Sequence, residues 1–252
     1  MEDRYIIKLV LMAALALSGC ARPPEPIFDS PKPNRSVYRL AAKRFAAVVV
    51  SNQQDVDVWL QSHFNKARAP KDADGGSAVP ITSDGYFLTA DHVLSTAAGK
   101  NVYLVLRRDG RMRAYPARIV WRSEENDLAL IHAPVSTPDH YQWTDSRKSL
   151  PPGTGVMHTG IATGFSSPTG KTLSPISPDS AFSGGQRFKH DMPLEPGDSG
   201  GAVVDANGLL VGVNSAVEFL VPLETAFFIE SEANRPNVRK LTKLIDRDRA
   251  AR

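Results

Sequence analysis

The stretch Pro193-Leu194-Glu195-Pro196-Gly197-Asp198-Ser199-Gly200-Gly201-Ala202-Val203-Val204 places a serine between an aspartate and two glycines, and an apolar run follows at once. Glycine has no Cβ and tolerates positive φ, so this loop can turn sharply and bring backbone close to a ligand. A serine presented in this way can act as a nucleophile, and the backbone N–H groups of Gly197 and Ser199 can point at a developing oxyanion. An ordinary surface turn can carry the same residues, so the interpretation depends on the rest of the chain.

A nucleophilic serine needs a base, and the base needs a group that orients it. His92 lies upstream in the segment 85–94, where it ends a strand-like apolar run and begins a short apolar turn. Asp127 lies between His92 and Ser199, and it leads into a run that predicts a buried strand. In this arrangement His92 would take the serine proton and later give it to the leaving amine, while Asp127 would fix the tautomer of His92.

Three short motifs carry a resemblance to the trypsin-like serine endopeptidases of the chymotrypsin fold. They are Thr-Ala-Asp-His-Val at 89–93, Asn-Asp-Leu-Ala-Leu at 126–130 and Gly-Asp-Ser-Gly-Gly at 197–201. Each motif is weak alone, but the three in this order, each beside a predicted strand, are specific. The resemblance covers about residues 77–229, and it implies that the triad lies in the seam between two barrels.

Within that family the chain resembles the disulfide-free bacterial proteases of the high-temperature-requirement type, with which it shares Gly-Val-Asn-Ser-Ala at 212–216. Those proteins usually have asparagine where this chain has Asp198. They also carry a C-terminal peptide-binding (PDZ) module, which we do not expect here because only 23 residues follow Ile229. In animal trypsins the equivalent aspartate pairs with a newly cut N-terminus. A tethered N-terminus excludes that pairing, so backbone donors or Arg187 are expected to satisfy Asp198.

Short strands without long helices between them predict an all-β protein. The resemblance implies two six-stranded antiparallel β-barrels and a C-terminal helix within a protease domain over 36–252. The first barrel is expected at about 46–135, the second at about 150–230 and the closing helix at about 235–248. Apolar residues at helical spacing mark that last helix; they are Val238, Leu241, Leu244 and Ile245.

Two short helices are predicted from their capping residues. Ser36 is expected to cap a helix over residues 37–45 at the start of the domain. Asn234 is expected to cap the closing helix, with Pro236 in its first turn.

Residues 1–19 predict a lipoprotein signal peptide rather than part of the fold. Arg4 and Lys8 precede the apolar run 9–17, which is too short to span a bilayer, since a membrane helix needs about 20 residues. Leu-Ser-Gly-Cys at 17–20 is similar to a bacterial lipobox, in which Cys20 becomes the lipidated first residue of the mature chain. The alternative is a plain secretory signal with an incidental cysteine.

The lipidated Cys20 and a Pro-rich tether are expected over 20–35. An extended tether of this composition would hold the domain about 40 Å from a membrane surface. Ala21, rather than aspartate, follows the cysteine, and by resemblance to Gram-negative lipoproteins this favours the outer membrane facing the periplasm. Cys20 is the only cysteine, so the domain holds no internal disulfide and depends on core packing.

Charge and histidine spacing argue against two classes of partner. The chain has 30 Lys and Arg against 27 Asp and Glu, an excess too small and too scattered to predict nucleic-acid binding. No two histidines stand at metal-ligand spacing with a carboxylate, so we expect no metal and no cofactor. Asp91 is expected to be a solvated charge. The remaining histidines are expected at the surface or in a satisfied core; they are His63, His132, His140, His158 and His190.

The primary specificity pocket is predicted from the family pattern, in which its floor lies six residues before the nucleophile. That position is Pro193, with Leu194 next, and neither can pair with a basic side chain. The other wall is expected from Asn214-Ser215-Ala216, whose backbone would take an extended substrate as an added strand. A small or medium apolar residue before the cut is therefore predicted, with Glu195 and His190 facing solvent.

Three functions remain compatible with these residues. The first is an endopeptidase of the cell envelope that acts on peptides or proteins through an acyl-enzyme and is held to the membrane by its lipid. The second is a non-catalytic lipoprotein that uses the same fold as a peptide- or protein-binding module. The third is an esterase with the same acyl-enzyme chemistry. The sequence carries no signal for or against an oligomer.

Overall fold

A computed structural model describes residues 30–58, 72–163, 168–219 and 229–252 of the chain. The predicted signal peptide, Cys20, His63 and the predicted tether up to residue 29 lie outside the described residues. Two antiparallel sheets, one after the other along the chain, account for most of the described part, and a helix lies at each end. None of the helices in the described ranges is long and apolar enough to cross a membrane.

The first sheet has seven strands in the order β2-β1-β5-β6-β7-β4-β3. The strands are β1 Ala46–Ser51, β2 Asp74–Ser77, β3 Val79–Pro80, β4 Tyr86–Thr89, β5 Asn101–Arg108, β6 Arg111–Ser123 and β7 Leu128–His132. The two edge strands, β2 and β3, are separated in the chain by Ala78 alone. The sheet therefore closes on itself as a barrel of six chain segments, because one segment supplies both edges.

The second sheet has six strands in the order β10-β13-β12-β11-β8-β9. They are β8 Gly155–His158, β9 Thr169–Lys171, β10 Gly185–His190, β11 Ala202–Asp205, β12 Leu210–Phe219 and β13 Ile229–Pro236. A bridge between Thr172 and His190 joins its two edges, so this sheet also closes. The prediction of two antiparallel barrels is confirmed. Strand β10 had not been predicted, and the last strand of the barrel continues to Pro236.

Period-two alternation divides the core into three apolar clusters. Phe87 and Ile131 point into the first barrel, whereas Leu88 and Leu130, one residue away on the same strands, point towards the second. Phe188 belongs to the separate core of the second barrel. Strands β4 and β7 are therefore buried on both faces, which explains their nearly continuous apolar sequences.

Helices α1 Arg35–Lys43 and α2 Val238–Ala250 both pack on the cluster between the barrels. The predicted caps were wrong in both cases. Asn34, not Ser36, caps α1 by accepting hydrogen bonds from the amides of Ser36 and Val37. Asn237, not Asn234, caps α2, because Asn234 and Pro236 are still paired in strand β13. Asn234 lies four residues before α2 and Asn237 one residue before it, and an Asn side chain can cap a helix only where the backbone has left the strand.

We expect the stability of the fold to depend strongly on glycine at position 85, in the tight turn before β4. Gly85 has φ +89°, and a Cβ there would lie 2.0 Å from the carbonyl oxygen of Ala133. Gly99 has φ +75° with nothing within 4 Å of a Cβ. Gly99→Ala should cost about 1–2 kcal/mol from its backbone conformation alone. Gly85→Ala should cost about 1–3 kcal/mol more from the clash. Urea unfolding of the two variants measures the difference, and equal losses would contradict the close backbone contact.

Candidate active site

Ser77, at the end of β2, joins the first barrel to the loop that carries Ser199. Its amide donates to the carbonyl of Ser199 at 2.8 Å, and its hydroxyl donates to the carbonyl of Gly197 at 2.7 Å. The same hydroxyl accepts from the amide of Ile161 at 2.9 Å. Ser77 is only 2% exposed, so these bonds form away from competing water. This serine fixes the loop against the opposite barrel.

His92 and Asp127 face each other across the end of the first barrel. His92 lies in a short 3₁₀ turn, Asp91–Leu94, directly after β4, and Asp127 lies just before β7. The imidazole Nδ1 is 2.9 Å from one carboxylate oxygen of Asp127 and 3.0 Å from the other. The backbone amide of His92 also donates to Asp127, at 2.9 Å. The carboxylate therefore holds both the ring and the main chain of His92.

A third donor reaches the same carboxylate from the second barrel. The Ser215 hydroxyl, on β12, donates to Asp127 Oδ2. Asp127 has φ +42°, a left-handed conformation that is uncommon outside glycine and that aims its side chain at these donors. Sequence reasoning had placed Ser215 in the substrate pocket only. Its contact with Asp127 adds a second bridge between the barrels, close to the candidate triad.

The hydrogen bonds between these groups shift both pKa values. The bond to Asp127 raises the pKa of His92 above its ordinary 6.5, although partial burial works against this. Burial also opposes ionisation of Asp127, but the bonds from His92 and Ser215 outweigh it and lower its pKa. Asp127 therefore stays charged at neutral pH and favours the imidazolium form of His92.

Ser199 lies in the same seam, near the end of the loop between β10 and β11. Its hydroxyl donates to the carbonyl of Ser215 at 3.0 Å rather than to His92. His92 and Ser199 line the same surface cavity, so the two side chains face a shared space. Rotation of one serine side chain about its Cα–Cβ bond redirects the hydroxyl within that space. Catalytic hydrogen bonds are often unformed in a free enzyme.

The loop that presents Ser199 is held by the buried carboxylate of Asp198. This side chain accepts hydrogen bonds from the amides of Ala162, Thr163 and Glu195 at 3.1–3.2 Å. Arg187, which had been considered as a partner, instead forms an ion pair with Glu232. Of the two expected sources of donors, the backbone is therefore the one that the structure uses. No cut N-terminus is required to neutralise this position.

The amides of Gly197 and Ser199 are the two predicted oxyanion donors. Within the described part of the chain, neither amide donates a hydrogen bond to another protein group. Gly197 has φ +107°, which an L-residue adopts only with strain, so the glycine allows the loop to leave these donors unpaired. Gly200 also needs to be glycine, because a Cβ there would lie 2.1 Å from the carbonyl oxygen of Ser77.

A family model described as a trypsin-like peptidase domain matches residues 76–213, which is more than half of the chain. The chain belongs to the trypsin-like peptidase family. The matched residues include His92, Asp127 and Ser199, and the match begins at the strand that carries Ser77.

Curated relatives agree with this family. A probable periplasmic serine endoprotease described as DegP-like, from Marinomonas sp. (strain MWYL1), is 33% identical over 150 residues, covering 56% of this chain and 29% of that protein. A protein of the same description from Pseudomonas putida (strain W619) is 27% identical over 226 residues, covering 78% and 45%. The chain thus spans less than half the length of these relatives.

Solved structures agree on the fold. The HtrA-type protease AlgW with a tripeptide superposes with a TM-score of 0.55 at 23% identity, covering 86% of this chain and 65% of that one. A serine endoprotease from Yersinia pestis gives 0.52 at 20% identity, covering 83% and 65%. At this identity the structural likeness speaks for the fold alone. Together with the family model and the DegP-like relatives, it confirms the resemblance to trypsin-like proteases of the bacterial high-temperature-requirement type.

The residues predicted to form the primary pocket of this peptidase-family chain lie in two segments, the loop that carries Ser199 and strand β12. Pro193 is exposed and Leu194 is half-buried, while Asn214, Ser215 and the backbone of Ala216 lie within strand β12 rather than after it. The carbonyl of Pro193 accepts a hydrogen bond from His158 Nε2 at 2.8 Å. A buried histidine of the second barrel therefore helps to position the predicted pocket floor.

Two predictions about charged or polar neighbours were wrong. His190 does not face solvent: it is fully buried, and its Nε2 lies 3.3 Å from the Asn214 side-chain oxygen. Asp91 is not a solvated charge: it is buried and accepts two hydrogen bonds from the guanidinium of Arg122, at 2.7 and 2.8 Å. Glu195 is exposed, as expected. Neither His190 nor Asp91 therefore adds a charge to the predicted pocket.

Metal binding finds no support among the residues that the structure describes. No group of three His, Cys, Asp or Glu side chains within those ranges is close enough to share an ion. His158 and His190 are stacked at 6.3 Å between ring centroids, but Asn214 and the Pro193 carbonyl are their polar neighbours.

We expect the two kinds of histidine to titrate differently. Asp127 stabilises the protonated form of His92, so this residue should titrate above 6.5. The pair should therefore stabilise the fold fully between 3.8, the ordinary pKa of Asp127, and 6.5. This stability should be lost as pH rises through the raised pKa of His92, and lost again in acid as Asp127 is protonated. Burial lowers the pKa of His190 to about 3, so His190 should stay neutral. Nitrogen-15 NMR of labelled histidines measures both. Asp127→Asn should lower the His92 value, and an unchanged value would contradict the role given to Asp127.

Proposed function

We propose that this chain is a serine endopeptidase of the bacterial cell envelope. The observation that carries the proposal is the meeting, in one seam, of a carboxylate-held imidazole, a loop serine and two unpaired backbone amides. These are the base, the nucleophile and the oxyanion donors that acyl transfer requires. The relatives described as periplasmic serine endoproteases support both the reaction class and the compartment.

The mechanism that this geometry supports begins with a change in the Ser199 hydroxyl. The hydroxyl turns from the Ser215 carbonyl towards His92 Nε2, which takes its proton as the oxygen attacks the scissile carbonyl. Asp127 stabilises the imidazolium that forms. The amides of Gly197 and Ser199 then donate to the oxyanion of the tetrahedral intermediate. His92 gives its proton to the leaving amine, and water hydrolyses the acyl-enzyme by the same steps.

The proposed specificity is for a small or medium apolar residue before the scissile bond. Pro193 and Leu194 supply no charge, and burying an unpaired Lys or Arg against them would be costly. Asn214 turns its side-chain oxygen towards His190 in the barrel interior. Its backbone amide and carbonyl are bonded to Gly201 and Gly200, so Asn214 adds no charge to this wall of the pocket. Alanine, valine and leucine are therefore the residues that we propose for this position.

The proposed attachment to the membrane is a lipid on Cys20, outside the described residues. The lipobox-like sequence, the single cysteine and the Pro-rich segment that follows it support this proposal. Ala21 after the cysteine supports the outer membrane, with the domain in the periplasm. A single acyl chain binds membranes weakly, so stable anchoring would need more than one chain on this residue.

Peptide cleavage by the purified domain 30–252, which keeps the Asn34 cap of helix α1, tests the reaction and its specificity together. With a random peptide library we expect cleavage after Ala, Val or Leu. Ser199→Ala, His92→Ala and Asp127→Asn should each lower turnover by about four to six orders of magnitude, and double variants should be little worse than single ones because the three residues act as a unit.

The contrary outcomes are distinct. Ordinary turnover in Ser199→Ala would exclude the proposed nucleophile. A dominant preference for Arg or Lys would show that the pocket floor lies elsewhere. If wild type neither cleaves the library nor is labelled at Ser199 by a fluorophosphonate probe, the non-catalytic binding module is the better description. Cleavage of esters alone would favour the esterase.

Replacement of the predicted lipidation site tests the anchor separately from catalysis. Cys20→Ser should remove the protein from the outer-membrane fraction, because the lipid is lost while the folded domain is untouched. Fractionation of cells followed by immunoblotting measures this, and Ser199→Ala serves as a control that should remain in the membrane fraction. A Cys20→Ser chain that still fractionates with the outer membrane would overturn the anchor.

A further inference from the structure

A groove separate from the Ser199 seam runs between helix α2 and the end of strand β6. It encloses about 310 Å³, and Trp121, Leu241 and Leu244 supply apolar surface to it, with Gly184 and Pro236 at one end. Trp121 and Leu244 are only partly buried by the core beneath them. The groove therefore offers an aromatic and aliphatic surface that no described residue covers.

Three cationic side chains line the α2 wall of this groove. They are Lys240, Lys243 and Arg247, and all three are exposed. Their spacing of three and four residues places them on one face of the helix, over about 10 Å of its length. Among the residues that the structure describes, none of the three has a carboxylate within ion-pair distance.

The acidic residues of α2 do not neutralise this face, because they are already paired with other cations. Asp246 interacts with Arg249, and Asp248 binds Arg118 and Arg252 on the side towards the first barrel. Asp179, near the start of the helix, accepts from the backbone amide of Arg239. The three cationic side chains along the groove are therefore left without a neutralising carboxylate from this helix.

We propose that this groove binds an extended acidic peptide segment, in which an apolar side chain is flanked by Asp or Glu residues. The apolar side chain would lie between Trp121 and Leu244. The flanking carboxylates would pair with Lys240, Lys243 and Arg247. An extended chain advances about 3.3 Å per residue, so three residues span the 10 Å over which the cations are spread.

The shape of the site favours a peptide over a membrane surface. The cations and the apolar residues line a concave groove between a helix and a strand, and a flat lipid surface cannot follow that concavity. Gly184, at one end of the groove, also lies beside Asn126, the residue before Asp127. An acidic segment of a protein substrate bound here would thus be close to the proposed active site without occupying it.

Fluorescence anisotropy tests this proposal. The parent protein is the full chain in detergent carrying the substitution Ser199→Ala, so that it does not cut the peptide probe. The probe is a fluorescein-labelled, end-blocked peptide with a leucine between pairs of glutamates. A peptide with lysines in place of the glutamates is its control. We expect the acidic probe to bind with an affinity that falls as salt is raised. The double variant Lys240→Glu/Lys243→Glu should weaken binding at least about tenfold, because two attractive charge pairs are replaced by two repulsive ones.

Arg239→Glu is the matched control, because Arg239 is exposed on the same helix but does not line the groove. This variant should change the affinity less than about twofold. Equal weakening by both variants would show a general charge effect and overturn the site. The site would also be overturned if the parent chain did not bind the acidic peptide, or if it bound anionic phospholipid vesicles but not the peptide. Because the parent chain lacks the nucleophile, these outcomes do not depend on the proposed catalysis.

Discussion

The contact of Ser77 with the loop of Ser199 is the constraint on which the seam depends. A single buried residue at the end of β2 uses its amide, hydroxyl and carbonyl to reach Ser199, Gly197, Ile161 and Thr89. The first barrel thus determines where the loop of the second barrel lies. The contact also requires glycine at position 200, because a Cβ there would lie 2.1 Å from the carbonyl oxygen of Ser77.

Two carboxylates in the seam have different tasks because they meet different donors. Asp198 is fully buried and accepts mainly from backbone amides, so it fixes the shape of a loop. Asp127 is partly open and accepts from the side chains of His92 and Ser215, so its charge is coupled to a titrating group. Backbone donors cannot lose their protons, whereas an imidazole can. This difference makes Asp127 suited to chemistry and Asp198 to structure.

Much of the fold could be predicted from the sequence because its signals are local. The hairpin of β5 and β6 around Asp109-Gly110, and the buried run of β7, follow from alternation and turn residues. Strand β10 was missed because its sequence, Gly-Gln-Arg-Phe-Lys-His, has a single apolar side chain, that of Phe188. Its pairing with β13 and the burial of Phe188 and His190 make it a strand. The cap of α2 was misplaced for a related reason, since the end of strand β13 decided which asparagine was free.

The sequence by itself determined which chemistry-bearing residues the chain has and in what order: His92, Asp127 and a serine set among glycines. Such motifs are readable because each needs its own neighbours along the chain. Only the tertiary structure decided what each carboxylate and histidine meets. Asp91 is paired with Arg122 from another strand, Asp198 is satisfied by backbone donors some 35 residues away in the chain, and His190 lies inside the second barrel. These contacts join segments far apart in the chain, and their energies depend on burial that no local pattern records.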